Sequence, residues 1–177
     1  CFYSPWQSAF LLGQNFVATG SLTKAYGLSG LRCGWIYAAK PLAERMWRLN
    51  DLFGVMAAHP AELISVIALD NLSKIAARAK KLLETNRALL KSFLGSRKDL
   101  LTIRPEAGCI VFPQLASGHA DAFCQLLLEK YETSVVPGRF FDAPEHFRMG
   151  VGGETENVRE GLSRLSAALD ELAAKHS

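Results

Sequence analysis

The sequence predicts an α/β protein in which helices cover short strands. Apolar residues in the middle of the chain and near its end recur at steps of three and four residues, which is the spacing of one helix face. Elsewhere, short apolar runs bounded by glycine and proline are typical of strands. With 177 residues, of which 49% are hydrophobic and 21% charged, the chain can bury a core.

The N-terminal part predicts two strands around a glycine-rich loop, followed by a helix. A strand over 15–19 runs into a loop over 20–34, and a second buried strand is expected over 33–39. Pro41 suits the first turn of a helix that we expect to end at about Leu52. The loop requires unusual backbone angles or close approach of other groups at its glycines, because glycine alone has no Cβ. These glycines are Gly20, Gly27, Gly30 and Gly34.

A single long helix is predicted from near Pro60 to Gly95, which suits a C-terminal stop. Asn86 interrupts its apolar face. The residues of that face are Leu72, Ile75, Ala79, Leu82, Leu89 and Phe93. A helix of more than roughly thirty residues is long for a globular protein, so we expect it to pass from one lobe to another. We therefore predict two domains, 1–76 and 77–177.

The remaining residues predict a small α/β lobe. The expected strands cover 100–104, 109–115, 134–136 and 146–151. The expected helices cover 119–131 and 155–174, and Thr155 is a suitable N-cap for the second of them. That last helix has one apolar face, formed by Val158, Leu162, Leu165, Leu169 and Leu172.

Composition excludes several classes of function. The net charge is only +3 and no basic run is long, so we expect neither a nucleic-acid partner nor a membrane partner. The four cysteines have no CxxC spacing and the histidines form no metal-ligand pattern, so we expect no metal site and buried, reduced thiols in a cytoplasmic protein. The chain begins with Cys1 rather than Met, which indicates a processed or truncated chain.

The segment with chemical potential is Ser-Leu-Thr-Lys-Ala-Tyr-Gly-Leu-Ser-Gly-Leu-Arg over 21–32. Lys24 follows a buried strand among small residues, where desolvation can lower its pKa and expose a nucleophilic amine. Ser21 offers a hydroxyl, and Arg32 offers a guanidinium fork suited to phosphate. Amine, hydroxyl and guanidinium together suit a phosphorylated aldehyde. From spacing alone, an ordinary surface loop with a solvated lysine and arginine is the better interpretation.

The pattern Ser-x-x-Lys-x-Tyr-Gly-Leu-x-Gly-x-Arg-x-Gly resembles the lysine motif of class I/II aminotransferases, which are fold-type-I enzymes that use pyridoxal 5′-phosphate (PLP). This resemblance implies that Lys24 is the Schiff-base lysine and proton shuttle, and that Ser21 and Arg32 bind the cofactor phosphate. It also implies a fold: the end of the PLP-binding large domain, a long interdomain helix and a small α/β domain.

Three further segments resemble the same family in the same order. Glu106–Phe112 resembles the turn and strand that face the active site, and Val135–Phe141 resembles the Pro-Gly loop near the substrate. The strand 147–151 resembles the one whose arginine, here Arg148, binds the substrate α-carboxylate. An unpaired guanidinium in an apolar strand is costly, so Arg148 needs an anion. From the residues alone, a structural salt bridge is the alternative.

The family's acid on the pyridine nitrogen and its ring-stacking aromatic lie before the lysine, and no such element is present here. We therefore expect the C-terminal part of a homodimeric parent enzyme, inactive by itself. The expected reaction moves an amino group between an α-amino acid and a 2-oxo acid. The alternatives are a PLP-dependent decarboxylase of an amino-acid phosphate and a non-catalytic, aminotransferase-like ligand-sensing domain of a transcription regulator.

Overall fold

The computed structural model describes residues 7–54, 56, 58–102 and 107–175. The chain divides into two compact units, the N-terminal unit Cys1–Lys80 and the C-terminal unit Lys81–Ser177. The boundary predicted between residues 76 and 77 and the division found here fall in the same helix. Three features of the sequence prediction lie outside the described residues: Cys1, Glu106 and the end of the strand predicted over 100–104.

The N-terminal unit contains a β-hairpin and helices. After a 3-10 helix at Ala9–Leu12, its elements are β1 (Ala18–Ser21), β2 (Gly34–Tyr37), α1 (Lys40–Phe53) and α2 (His59–Asp70). β1 and β2 are antiparallel, and their register ends with Ser21 opposite Gly34. Both helices have proline in their first positions, where the missing N–H costs no hydrogen bond.

The long helix predicted from Pro60 to Gly95 is two helices, so that prediction is wrong. α2 ends at Asp70 and α3 spans Leu72–Ser96. Between them, Asn71 leaves the helical backbone region, with φ −110° and ψ 20°. Its side-chain Nδ2 donates to the Ile67 carbonyl at 2.9 Å. Asparagine side chains that bond to the backbone compete with the helix in this way, which explains the break.

The N-terminal unit buries little. Among its described residues, only Leu22, Ser65 and Ala68 are buried. Many large apolar side chains of α1 and α2 are exposed instead. They are Leu42, Trp47, Leu49, Leu52, Phe53, Leu63, Ile64, Val66, Ile67 and Leu69. Large apolar side chains are seldom exposed in such numbers on a surface that nothing covers.

The C-terminal unit has an α/β arrangement. It contains the greater part of α3, and its helices α4 (Ala120–Tyr131) and α5 (Thr155–Lys175) pack against each other. Its strands are β3 (Leu100–Leu101), β4 (Ile110–Val111), β5 (Gln114–Leu115), β6 (Val136–Pro137) and β7 (Phe147–Gly150). The strands β3 and β5 pair, and a second antiparallel sheet has the order β4-β7-β6.

One hydrophobic core occupies the C-terminal unit. Phe123 and Phe147 are fully buried, and their ring centroids are 5.3 Å apart. The predicted apolar face of the last helix is confirmed, since Leu162, Leu165 and Leu169 are buried and Val158 and Leu172 pack against the core. This burial provides the largest stabilising contribution, at about 25 cal/mol per Å² of apolar surface.

The strand predicted over 109–115 is interrupted. β4 and β5 are separated by Phe112 and Pro113, and Pro113 is fully buried. Proline has no N–H to donate to a strand ladder, so continuous pairing ends there. Its carbonyl still accepts from the Phe147 N–H at 3.0 Å, which keeps the chain beside β7.

The expectation that the cysteines are buried is correct for only one of those that the structure describes. Of those described, Cys124 is buried, whereas Cys33 is half-buried and Cys109 is exposed. Burial raises the pKa of the Cys124 thiol to about 11, so that thiol stays protonated.

Within the described ranges, no helix is long and apolar enough to span a bilayer.

Candidate functional site

The loop with Lys24 connects β1 to β2 and is anchored by Leu22, which is fully buried. The Leu22 N–H donates to the Cys33 carbonyl at 3.1 Å, so the hairpin ladder continues one step beyond Ser21. The Leu22 carbonyl accepts from the Leu28 N–H at 3.0 Å. A buried leucine with both backbone groups bonded therefore fixes the base of the loop, which is why the following residues can protrude in a defined turn.

Lys24 begins that turn. Its carbonyl accepts from the Gly27 N–H at 3.2 Å, and Gly27 has φ +71°, a conformation that favours glycine. The Lys24 side chain is exposed, and among the described residues it has no hydrogen-bond or ion-pair partner. The desolvation expected from the sequence is therefore not provided by the described part of the chain, and the amine is accessible to a ligand.

Ser21 and Arg32 lie at the same end of the hairpin. Ser21 is the last residue of β1, and its Oγ accepts from the Thr23 N–H at 3.3 Å, which leaves the hydroxyl proton available. Arg32 follows the 3-10 helix Ser29–Leu31 and has a left-handed backbone, with φ 52°. A left-handed arginine is uncommon, and such conformations concentrate at functional sites. Its exposed guanidinium has no partner among the described residues.

The glycines in and beside the Lys24 loop differ in whether the surrounding atoms leave room for a larger residue. A Cβ on Gly20 would lie 2.6 Å from the Trp35 ring, its cross-strand partner, so Gly20 is required by packing. A Cβ on Gly34 would lie 3.1 Å from the Gly20 carbonyl oxygen. Gly30 has nothing within 4 Å of its Cβ position. Close approach is thus confirmed at Gly20 and Gly34, but protein atoms explain it.

Arg148 lies in β7, the strand predicted for it, but it is only half-buried. Side chains alternate along β7, so Phe147 and Met149 face the core while Arg148 lies on the opposite face and is half-buried. The guanidinium is therefore only half-buried, and the cost of leaving it unpaired is smaller than for a fully buried arginine. The alternative of a structural salt bridge has no support among the described residues, since none of their carboxylates pairs with Arg148.

The neighbours of Arg148 on that face are apolar. β6 places Val136 directly opposite Arg148. On the other side, the register of β4 with β7, continued by one residue, places Phe112 opposite Arg148. Apolar neighbours reduce the local dielectric, so an anion bound by Arg148 is attracted more strongly than in open water.

Phe112 connects this face to the Pro-Gly loop. Its ring stacks on His146, with centroids 4.9 Å apart, and meets the Phe141 ring edge-on at 5.5 Å. Phe141 is half exposed. Sequence reasoning missed this aromatic group, because its members are separated along the chain. The alternation of 110, 112 and 114 along one strand face was the available signal.

The Pro-Gly loop is held tightly. Gly138 is buried, and a Cβ there would lie 2.0 Å from the Ala143 carbonyl oxygen, so only glycine fits. Arg139 in this loop pairs with Asp121 at 2.5 Å and lies over the Phe140 ring, 4.5 Å from its centroid. The Arg139 guanidinium is therefore already committed to a protein partner.

The donor set of the hairpin loop fits a phosphorylated aldehyde. It offers an accessible amine on Lys24, a hydroxyl on Ser21 and a guanidinium on Arg32, the last two at the closed end of one short ladder. Oxyanions are bound well by hydroxyl and guanidinium donors, and an amine can bond covalently to an aldehyde carbon. The residues present therefore fit PLP by their chemistry.

Comparisons with known proteins identify a family. Residues 5–165 match "Aminotransferase class I and II". Capreomycidine synthase of Streptomyces vinaceus is 28% identical over 153 residues, which cover 85% of this chain and 39% of that protein.

Two solved structures are similar. A PLP-dependent aminotransferase from Streptococcus suis 89-1591 superimposes with a TM-score of 0.84 at 29% identity, covering 88% of this chain and 42% of that one. The PLP-dependent cyclase OrfR gives a TM-score of 0.81 at 32% identity, covering 88% and 43%. The chain thus spans about two fifths of the length of these relatives.

Proposed function

The chain belongs to the aminotransferase class I and II family, and we propose that the full-length protein moves an amino group between an α-amino acid and a 2-oxo acid with PLP as cofactor. The observation that supports this most directly is the hairpin loop, where a serine precedes one buried leucine and an accessible lysine and a left-handed arginine follow it. We further propose a cytoplasmic homodimer, as the family resemblance implies.

Lys24 is proposed as the covalent attachment point. Its Nζ would bond to the cofactor's aldehyde carbon, and once displaced by substrate it would carry the proton to and from the substrate α-carbon. PLP, when bound, withdraws electrons from that carbon. The turn closed by Gly27 supports this role, because it holds the Lys24 backbone while the side chain extends freely.

Ser21 and Arg32 are proposed to hold the cofactor phosphate. Guanidinium and hydroxyl donors bind phosphate oxygens through charge-assisted hydrogen bonds. The exposed guanidinium of Arg32, which has no partner among the described residues, supports this assignment.

Arg148 is proposed to bind the substrate α-carboxylate. Its fork of N–H donors matches a carboxylate in bidentate geometry, and its neighbours Val136 and Phe112 restrict water on either side. The strand places the guanidinium on the face opposite the core, where a small anion can reach it.

A second candidate reaction is cyclisation of an amino acid with the same cofactor. The similarity to the PLP-dependent cyclase OrfR, at 32% identity, favours it. We propose the same roles for Lys24 and Arg148 in either reaction. Product analysis separates them, because transamination releases a 2-oxo acid and cyclisation does not.

The test uses the full-length protein loaded with PLP. We expect α-amino acids to be converted to 2-oxo acids only when a second 2-oxo acid is supplied as acceptor, and Lys24→Ala to abolish the conversion. Release of carbon dioxide would instead identify the decarboxylase, a cyclic product the cyclase, and binding without any product the ligand-sensing domain.

The proposed binding of the substrate α-carboxylate by Arg148 has its own test. Arg148→Lys keeps the charge but loses the fork, so affinity for amino acids should fall by tenfold or more, on the order of one charged hydrogen bond, while PLP affinity stays unchanged. Arg139→Lys is the matched control, because Arg139 pairs with Asp121 and should not affect amino-acid binding. Equal losses in both variants would contradict the assignment of Arg148.

A further inference from the structure

Asn86 is a fully buried amide on the core side of α3. Leu90 and Leu94, one and two turns later on the same face, are also buried and belong to the core. A polar side chain in such a place costs free energy unless hydrogen bonds compensate for the lost water. The interruption of the apolar stripe by Asn86 therefore requires an explanation.

Asn86 holds the chain just after β7. Its Nδ2 donates to the Val151 carbonyl at 2.9 Å and to the Gly153 carbonyl at 2.8 Å. The Val151 N–H donates in turn to the Cys109 carbonyl at 2.8 Å. Val151 is thus bonded through both its N–H and its carbonyl to separate parts of the C-terminal unit, and Asn86 provides one of these attachments.

The side-chain oxygen of Asn86, in contrast to its nitrogen, makes no hydrogen bond to the described residues. Its Oδ1 is buried and accepts no hydrogen bond from any residue in the described ranges. Burying an unpaired acceptor costs about 1–3 kcal/mol, so a leucine of similar size would cost less at this position. The amide is therefore better explained by the two carbonyls that it fixes than by the stability of the core.

Those carbonyls lie close to Arg148 along the chain. β7 has only four residues, and Val151 follows its last residue, Gly150. The direction of a strand side chain depends on how its backbone is held. Because β7 is short, loosening its C-terminal end would let the strand twist, even with the bond from the Val151 N–H to the Cys109 carbonyl in place. The Arg148 guanidinium would then turn away from bidentate geometry, which tolerates only about 0.5 Å of misplacement.

We propose that Asn86 is a positioning residue that orients Arg148 for the substrate carboxylate by fixing the end of β7. The inference rests on the proposed function of Arg148. Asn86 touches neither substrate nor cofactor in this role. Its removal should therefore weaken amino-acid binding without weakening PLP binding, whereas general damage to the fold would weaken both.

The experiment compares full-length wild type with Asn86→Leu, Asn86→Ala and Asn86→Gln. For each protein we measure the affinity for PLP, and the affinity and KM for the common amino acid that wild type binds most tightly. The affinity for the amine that lacks the carboxylate of that amino acid is measured as well. The control is Arg97→Met, which breaks the bonds from Arg97 to Asp99 and Asp170 in the same unit, away from β7. Unfolding in urea shows how much stability each variant has lost.

We expect folded Asn86 variants to lose on the order of tenfold of the preference for the acid over the amine, with the KM for the amino acid raised and PLP affinity unchanged. Arg97→Met should lose stability and keep the preference. If folded Asn86 variants keep it too, or if none folds, Asn86 is structural and the inference is overturned. If wild type itself shows no preference, the role of Arg148 fails first.

Discussion

The two units differ in what they bury and in what they expose. Among its described residues, the C-terminal unit contains a connected core of sixteen buried residues. The N-terminal unit buries only Leu22, Ser65 and Ala68 among its described residues, yet it contains the loop with Lys24. The covalent chemistry that we propose therefore belongs to the unit with less core of its own.

This difference indicates how the stability of the protein is distributed. A unit with a continuous core can fold by itself, whereas exposed apolar helices need a covering surface. Since the chain spans about two fifths of its relatives, we expect other parts of the full-length protein to cover α1 and α2.

The largest effect is expected when the units are separated. A fragment of residues 81–177 should unfold cooperatively in urea, because its core is complete. A fragment of residues 1–80 should show no cooperative transition. Circular dichroism followed during urea titration measures both. A cooperative N-terminal fragment, or a C-terminal fragment without a transition, would contradict the contrast.

A matched pair of leucines tests the same contrast within the whole 177-residue chain. Leu127→Ala removes a fully buried side chain and should cost about 3–5 kcal/mol of unfolding free energy. Leu63→Ala, on the exposed face of α2, should change it by less than about 0.5 kcal/mol. In the full-length protein the cost of Leu63→Ala should rise. Equal costs there and in the isolated chain would mean that α2 stays uncovered.

A smaller effect is expected at Arg97, whose side chain is 12% exposed. It donates to Asp99, to Ser166 Oγ at 3.0 Å and to Asp170 Oδ1 at 2.7 Å, which connects the segment after α3 to α5. Arg97→Met should lower the unfolding free energy by about 1–3 kcal/mol. Arg159→Met, which removes an exposed pair with Glu156, should cost less than about 0.5 kcal/mol. A reversed order would show that the Arg97 network is not stabilising.

The smallest effect is a pH dependence of the C-terminal unit. The hydrogen bond from Arg97 lowers the pKa of the Asp99 carboxyl below its ordinary 3.8. A lowered pKa in the folded state stabilises the protein above the unfolded value, and that stabilisation is lost as the pH falls through the folded value. The difference in unfolding free energy between wild type and Asp99→Asn should thus be present at about pH 7 and shrink below pH 3.8. A difference that grows on acidification would have the wrong sign.

The sequence predicts local features better than broken or non-local ones. The last helix was predictable because Val158 to Leu172 follow a helical period, and burial confirms it. The break at Asn71 depends on one side-chain bond to Ile67, which periodicity does not reveal. The half-buried position of Arg148 follows from strand alternation, but that argument requires knowing that residues 147–149 form a strand with one face on the core. The bonds of Asn86 join residues more than sixty positions apart, and no local pattern indicates them.

The central claim is that Lys24 bonds covalently to PLP, and one measurement tests it most directly. The full-length protein, loaded with PLP, is reduced with borohydride, digested and analysed by peptide mass spectrometry. We expect the reduced cofactor on Lys24 alone, and no fixed cofactor in Lys24→Ala. Cofactor fixed on another lysine, or equal labelling of the Lys24→Ala variant, would contradict the assignment.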